Sequence, residues 1–435
     1  MNYKKNLNHI KNKDISIAVV GLGYVGLPLA LRFIKKKIKV FGFDVDVNKI
    51  NNLKSGKSYI VDIKSNQLKY FKKNNSRISN RMNILKNAQI IFICLPTPLN
   101  KQNLPDMSYL QNFYKKMNKI ISNGQTIILE STVYPGATSN LIKNFDKKFI
   151  VGKDIFIGYS PERENPGDKK FSYTTTPKLI SGKTKACLKI VEAIYNLIVK
   201  KTYKVLDIES AEMSKLLENT YRAVNISLIN EIKIICEKLN LNIYEIINAA
   251  SSKNFGFTRF DPGPGIGGHC IPIDPIYLSW RSNQVGYNPK FIKVSADLAK
   301  KIPFWIVNKM DNFFKKKNQH LKKVLIIGVS YKPNVGDDRE SPAFSIMKLL
   351  NNRNIKFDYH DKYFKSLRIG RNNKINKRSI NLSKANLKKY QSTIIVTNHN
   401  YIDYEKLIKF SKVVFDTRAA TLKYKKKYNH KLIYC

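Results

Sequence analysis

Residues 15–44 leave the chain few ways to fold. Ile15 to Val20 is a short continuous apolar run, the pattern of a strand buried on both faces. It leads directly into Gly21-Leu-Gly-Tyr-Val-Gly26, and Leu27 to Ile34 continues with helical apolar periodicity. Lys39 to Phe43 reads as a second strand, closed by Asp44, 18 positions after Gly26. The glycine triplet alone is a weak signal. Strand, triplet, helix, strand and acid in this order form the pattern of a dinucleotide-binding βαβ unit. Gly21 permits the tight turn, Gly23 lets a pyrophosphate approach the helix N-terminus, and Gly26 lets helix and strand pack closely. Asp44 would bind adenosine ribose hydroxyls, which favours NAD over NADP. Lys49 pulls the other way, since a base nearby could accept a 2′-phosphate. The bland alternative is a set of turn glycines and a surface acid.

The alternation continues. Gln89 to Leu95 reads as a strand ending in Pro-Thr-Pro, Thr126 to Leu129 as another leading into Glu130-Ser-Thr-Val, and Ile155 to Ile157 as the start of a third running into Tyr159-Ser-Pro-Glu-Arg. In a doubly wound sheet, ligands bind beyond the carboxyl ends of the strands. Thr97, Thr132 and Glu162 sit there, although Thr97 is equally well an ordinary turn residue. A long helical pattern runs from Glu209 to about Leu239 and carries Lys215 and Asn219, four apart and so on one face. A shorter helical segment follows at about Ile243 to Ala250. After an amphipathic helix, strands at Lys323 to Ile327, Lys356 to Tyr359, Ser392 to Val396 and Lys412 to Phe415 indicate a second βαβ domain. Its first turn, Gly328-Val-Ser-Tyr-Lys332, lacks the glycine triplet and so points to a different ligand. The expected fold class is α/β, with two Rossmann-like doubly wound domains (1–205 and 306–435) joined by a helical region (206–305).

Between the helices and the second sheet lies Pro262 to Pro275, with four glycines and four prolines in fourteen residues. Such a stretch is neither helix interior nor central strand; it is a close-packed loop. Cys270 stands on it, four residues before Asp274. A thiol held there suits covalent catalysis if a cationic neighbour lowers its pKa, and otherwise is a small buried hydrophobe in a turn.

Composition narrows the partners. The chain has 78 Lys+Arg against 31 Asp+Glu, a formal charge of +47 over 435 residues. The excess is mostly lysine spread along the whole length, without a zinc finger, an RRM signature or an aromatic-interleaved basic stripe. A solvated basic surface is therefore expected rather than nucleic-acid binding. Cys94, Cys187, Cys236, Cys270 and Cys435 are scattered without metal-ligand spacing, so neither a disulfide framework nor a metal site is indicated. Met1 to Asp14 is lysine-rich without an apolar core, and no apolar run approaches the roughly 20 residues of a membrane span. A soluble, cytoplasmic protein is expected.

With these pieces in order, the chain resembles the UDP-glucose/GDP-mannose dehydrogenase family along nearly its whole length. The resemblance rests on six ordered motifs: Gly21-Leu-Gly-Tyr-Val-Gly26, Ser131-Thr-Val, Pro161-Glu162, Lys215-Leu-Leu-Glu-Asn219, Gly267-Gly-His-Cys270 with Asp274, and Tyr331-Lys332 with Asp338-Arg-Glu-Ser-Pro342. It implies an N-terminal NAD domain, a central helical dimerisation region giving a homodimer or higher homo-oligomer, and a C-terminal nucleotide-sugar domain. UDP-glucose dehydrogenases usually carry a lysine just before the loop aspartate, where this chain has Ile273. That departure, with Gly256-Phe-Thr, Ile271-Pro-Ile-Asp-Pro275 and Tyr277-Leu-Ser-Trp280, is most similar to the UDP-N-acetylglucosamine 6-dehydrogenase branch, with the galactosamine and mannosamine enzymes close by.

The implied reaction takes a sugar C6 alcohol to a carboxylate with two NAD+ and one water, in bacterial surface polysaccharide biosynthesis. By the resemblance, Cys270 forms a thiohemiacetal and then a thioester, Lys215 and Asn219 stabilise the alkoxide, and Asp274 works with a water as the base. Glu162 and Thr132 would position water for hydrolysis. Tyr24, Val25, Asp44, Lys49, Thr97 and Thr132 would join the glycines around the cofactor. Glu162, Arg163, Lys215, Asn219, Arg259, Gly267, Lys332 and Arg339 would meet the UDP-sugar. His269 is expected to be a structural loop residue. Two rivals remain at this stage: a single-step Rossmann hydroxyacid dehydrogenase, which needs no cysteine, and a non-enzymatic polyanion-binding protein.

Overall fold

The computed structural model describes residues 3–60, 63–73, 76–143, 145, 148–163, 175–367 and 375–435. These form two compact units, one of residues 1–218 with 280–287 and one of 219–279 with 288–435.

The N-terminal unit contains α1 (Tyr3–Lys11), β1 (Ser16–Val20), α2 (Gly26–Lys35), β2 (Lys39–Phe43), α3 (Val47–Lys54), α4 (Lys69–Lys73), β3 (Arg77–Ser79), β4 (Ile90–Ile93), α5 (Ser108–Met117), β5 (Thr126–Leu129), α6 (Ala137–Ile142), β6 (Phe156–Tyr159), β7 (Lys178–Gly182), α7 (Lys185–Tyr195) and β8 (Thr202–Lys204). Among the described residues its sheet has eight strands in the order β3-β2-β1-β4-β5-β6-β7-β8. Neighbours pair in parallel except β6 and β7, which are antiparallel. The order reverses between β1 and β4, so the carboxyl ends of those two strands flank the crevice where such sheets take ligands. Ile17 and Val19 of β1 enter a core with Leu27, Phe33 and Ile34 of α2 and Ile190 and Val191 of α7. Tyr3, Leu7 and Ile10 pack against the same core, so the lysine-rich leader is a docked amphipathic helix.

Helix α8 (Ile208–Lys238) begins in this unit, and the division between the units falls within it, between Glu218 and Asn219. There follow α9 (Ile243–Ser251), α10 (Asp274–Gln284), α11 (Lys290–Lys315), β9 (Lys323–Ile327), α12 (Pro342–Asn352), β10 (Lys356–His360), β11 (Ser366–Leu367), β12 (Lys377–Arg378), α13 (Lys384–Lys388), β13 (Ser392–Ile395), α14 (Tyr404–Phe410), β14 (Val414–Asp416), α15 (Lys425–Tyr428) and β15 (Leu432–Tyr434). The main sheet of the second unit runs β10-β9-β13-β14-β15, parallel throughout. Val324 and Ile326 of β9 point into one core with α11 and α12, while Leu325 and Ile327 point into another with α14. Both faces are covered, which is why these strands read as continuous apolar runs. This is the expected α/β architecture of two Rossmann-like sheets with helices between them in the chain.

Candidate active site

The first turn is built as its glycines require. Gly21 has φ +86°, and a Cβ there would lie 2.5 Å from the Cys94 carbonyl oxygen. At Gly26 a Cβ would lie 1.9 Å from the Gly21 oxygen. Gly23 is different: a Cβ there would meet nothing within 4 Å, so the space beside it is open to a ligand rather than filled by protein. Asp44, at the end of β2, accepts the Leu22 N–H at 2.8 Å and the Asp46 N–H at 2.9 Å. Lys49 Nζ stands 3.1 Å from the same carboxylate. Val25 caps α2 by its backbone, and Tyr24 is 38% exposed beside the open turn. Open space at a helix N-terminus with an acid at the next strand end fits an NAD pyrophosphate and ribose.

The loops beyond β4, β5 and β6 carry Thr97, Thr132 and Glu162. Thr97 is buried, and Ser131 Oγ donates to the Leu95 carbonyl at 2.7 Å, tying the second loop to the first. Burial first, then the Glu130 charge, push the Cys94 thiol well above its ordinary value. Cys94 is therefore protonated and a poor nucleophile. Arg163 reaches Glu218 of α8 at 2.6 Å and the Pro177 carbonyl at 2.9 Å. Glu218 lies one turn from Lys215, which is 7% exposed and has no hydrogen-bond or ion-pair partner among the described residues. One turn earlier, Glu212 accepts the Gly136 and Thr138 N–H groups at 2.6 and 2.8 Å. Burial outweighs those bonds and raises its carboxyl to about 7.

In the second unit the cysteine loop is held by close backbone packing. Gly268 N–H donates to the Arg339 carbonyl at 3.0 Å, and a Cβ on Gly267 would lie 2.9 Å from both Tyr331 and Pro342. The Cys270 carbonyl accepts the N–H groups of Ile273 and Asp274 at 3.1 and 2.8 Å, turning the chain into α10. Asp274 is thereby the first residue of that helix, 4% exposed, and Asn219 Nδ2 donates to it at 2.5 Å. Cys270 itself is partly exposed. Burial, Asp337 and Cys270 together raise Tyr331 to about 12, so its hydroxyl stays protonated against the loop.

Of the residues expected to bind a UDP-sugar, Lys332 is half-buried beside Tyr331. Arg339 is folded onto Asp337, with Nη2 2.6 Å from the carboxylate and Nε at 2.9 Å, so its fork is partly neutralised. Arg259 lies exposed against Asn248 and Asp261 at 2.7 and 2.9 Å. The sequence reading passed over Arg418. A Cβ on Gly263 would lie 2.5 Å from its Nη1, so this guanidinium lies against the cysteine loop. Its place just past the carboxyl end of β14 is the signal that could have singled it out. Also missed were Glu130, Lys178 and Glu212, charged residues that are buried here.

Comparison with known proteins gives a consistent answer. Residues 15–199 match the NAD binding domain of the UDP-glucose/GDP-mannose dehydrogenase family, 209–301 its central domain, and 325–423 its UDP binding domain. The chain is 35% identical to a UDP-N-acetyl-D-glucosamine 6-dehydrogenase from Pseudomonas aeruginosa, covering 80% of this chain and 83% of that protein. It is 33% identical to one from Salmonella typhi, covering 89% and 90%. The structure of a UDP-D-ManNAc dehydrogenase from Pyrococcus horikoshii superposes with a TM-score of 0.84 at 26% identity, over 93% of this chain and 96% of that one. The dinucleotide turn, the cysteine loop and all three domain matches lead to one conclusion: the chain belongs to the UDP-glucose/GDP-mannose dehydrogenase family, a family of NAD-dependent oxidoreductases acting on nucleotide sugars.

Proposed function

We propose that this enzyme oxidises the C6 alcohol of UDP-N-acetylglucosamine to the uronate through a thioester on Cys270. The observation that carries the reading is the buried Asn219–Asp274 hydrogen bond, which joins the helix bearing Lys215 to the loop bearing Cys270. The bound dinucleotide supplies the hydride acceptor. Lys215, one turn from Asn219, stabilises the developing alkoxide with Asn219 beside it; a placed cation in a dry cleft contributes roughly 3 kcal/mol to such a transition state. Asp274, through a water, takes the hydroxyl proton. Cys270 Sγ adds to the aldehyde carbon, and the thiohemiacetal goes on to a thioester, an oxidation level that an alcohol-to-aldehyde enzyme never needs. Water positioned by Glu162 and Thr132 then releases the acid. Lys332 and Arg339 hold the nucleotide diphosphate, with Arg163, Gly267 and Arg259 at the sugar end.

The N-acetylglucosamine assignment is supported by Ile273 before Asp274 and by the 33–35% identity to two enzymes of that name. UDP-N-acetylgalactosamine, UDP-N-acetylmannosamine and UDP-glucose are the alternatives, and the Pyrococcus horikoshii structure keeps mannosamine foremost among them. A panel of these four sugars followed by NADH absorbance tests the reading. Two NADH per UDP-N-acetylglucosamine are expected, and Cys270→Ser should block the second oxidation. One NADH with a stable aldehyde would overturn the thioester route.

A homodimer through the central region is part of the same proposal. Met213, Leu217, Tyr221, Leu228 and Ile235 of α8 are each 38–59% exposed, and their spacing of four, four, seven and seven puts them on one stripe. Light scattering on Leu217→Glu tests it, with a monomer the expected result. The proposed location is the cytoplasm, since multiply charged reactants do not cross a bilayer unaided. The proposed role is supply of a uronate building block for a surface polysaccharide.

A further inference from the structure

The N-terminal unit buries a charge pair that the mechanism above does not use. Glu130 directly follows β5 and Lys178 opens β7; they are 2% and 3% exposed, with Nζ 2.7 Å from Oε2. The fully buried Tyr195 at the end of α7 donates its hydroxyl to the other carboxylate oxygen at 2.5 Å. Lys178 Nζ also donates to the Pro161 carbonyl at 3.0 Å, the peptide that links Pro161 to Glu162. The neighbouring contact runs in the opposite direction, from the Arg163 guanidinium to the Pro177 carbonyl at 2.9 Å. Residues 161–163 and 177–178 thus clamp each other, and Arg163 extends the clamp to Glu218 of α8. At the other end Glu130 is fixed by its N–H to the Ile93 carbonyl at 2.9 Å, two residues before Thr132.

Burying two ions is costly, and an apolar pair of the same volume often serves stability as well or better. What an apolar pair does not supply is direction. The ammonium fixes the distance between the Thr132 loop and the peptide that aims Glu162, through bonds with set lengths and angles. We propose that Glu130 and Lys178 are positioning residues for thioester hydrolysis, holding Thr132 and Glu162 in register around the attacking water. This rests on the assignment of Glu162 and Thr132 made above. In that step the water oxygen bonds to the acyl carbon and the C–S bond breaks. Cys270 leaves as the thiol with one proton, and the other proton passes to the Glu162 carboxylate and on to solvent. No electrons are exchanged.

The test uses the full enzyme in rapid mixing with UDP-N-acetylglucosamine and NAD+, with quenched samples weighed intact. Lys178→Met strands a buried carboxylate and can unfold the domain, so the informative variant is the double change Glu130→Leu with Lys178→Met, which removes both charges together. The expected result is a melting temperature near that of the parent, a burst of two NADH per site at the parent rate, and steady-state turnover at least about tenfold slower. The protein should then carry the added mass of the acyl group on Cys270. Glu162→Gln is the control and should accumulate the same adduct. A folded double variant whose burst and turnover fall together, or that turns over normally without adduct, overturns the clamp while the control adduct upholds the hydrolysis assignment. A Glu162→Gln enzyme without adduct overturns that assignment, and the clamp with it.

Discussion

The two Rossmann-like sheets use the same turn and put it to opposite uses. Each has a glycine of positive φ after its first strand, Gly21 at +86° and Gly328 at +84°, pressed against the next strand's end at Cys94 or Thr397. Each has an aspartate closing its second strand that accepts a turn N–H at 2.8 Å: Leu22 to Asp44, Val329 to Asp361. The difference lies in what else the carboxylate meets. Beside Asp44 stands Lys49, a third exposed and able to swing away. Asp361 is closed in by His399, fully buried, with Nε2 at 3.1 Å while Nδ1 accepts the Asn334 N–H. One carboxylate has a partly exposed partner that can leave, and the other is consumed in holding its own loop. The proposed ribose contact falls to Asp44 because Lys49 can leave it, whereas His399 is locked against Asp361.

The largest expected effect separates the glycines. Gly26→Ala forces a Cβ onto the Gly21 carbonyl, which as backbone cannot yield; a loss of about 4 kcal/mol or insoluble protein is expected. Gly23→Ala meets open space, so thermal melting should be unchanged while KM for NAD+ rises about tenfold or more. A stable Gly26→Ala enzyme would break the comparison at its root.

Next come the two aspartates. Asp361→Asn should cost about 3 kcal/mol in urea unfolding, because it strands buried donors, and should leave KM for NAD+ alone. Asp44→Asn leaves one acceptor oxygen for two backbone N–H donors, so it should also lose some stability, but it should show the larger change in KM. A rise in KM for NAD+ in the Asp361 variant would show that the two turns are not divided as described.

Two buried carboxylates, one in each unit, should also answer pH in opposite senses. Glu212 in the first unit is raised from its ordinary 4.5 to about 7. The folded state then binds the proton more tightly, so its stabilisation is fully present below pH 4.5 and lost as pH rises through 7. Glu212→Gln should flatten that slope, worth roughly 3 kcal/mol. Asp361 lies below its ordinary 3.8: burial opposes, but the His399 and Val329 hydrogen bonds prevail. Its contribution is present above 3.8 and disappears as pH falls further. Melting curves from pH 3 to 8 on parent and Glu212→Gln check both signs. The smallest effect is at Lys49, a partly exposed pair whose removal in Lys49→Ala should change KM for NAD+ by less than about fivefold.

The apolar runs at Ile15, Gln89, Thr126, Lys323 and Ser392 were legible as strands because both faces of each sheet are covered; those at Thr126 and Lys323 have the expected limits, and the other three differ by a residue or two. Strand β7 was not legible. It begins with Lys178, a residue that on its own marks solvent, and its partner Glu130 is 48 positions away. Helix α1 was hidden in the same way, its Tyr3, Leu7 and Ile10 spaced at four and three among lysines. In the site, Cys270, Asp274 and Asn219 were legible through the family resemblance, whereas Arg418 offered only its place past the end of β14, and folding sets it against Gly263.

By itself the sequence determined the dinucleotide turn and the cysteine loop, because what glycine and proline dictate is the local backbone, and that is written in consecutive residues. The tertiary structure alone decided which distant charges meet: Glu130 with Lys178, and Asp361 with His399. Electrostatic energy depends on separation in space and on burial, and neither is a property of neighbouring positions in the chain.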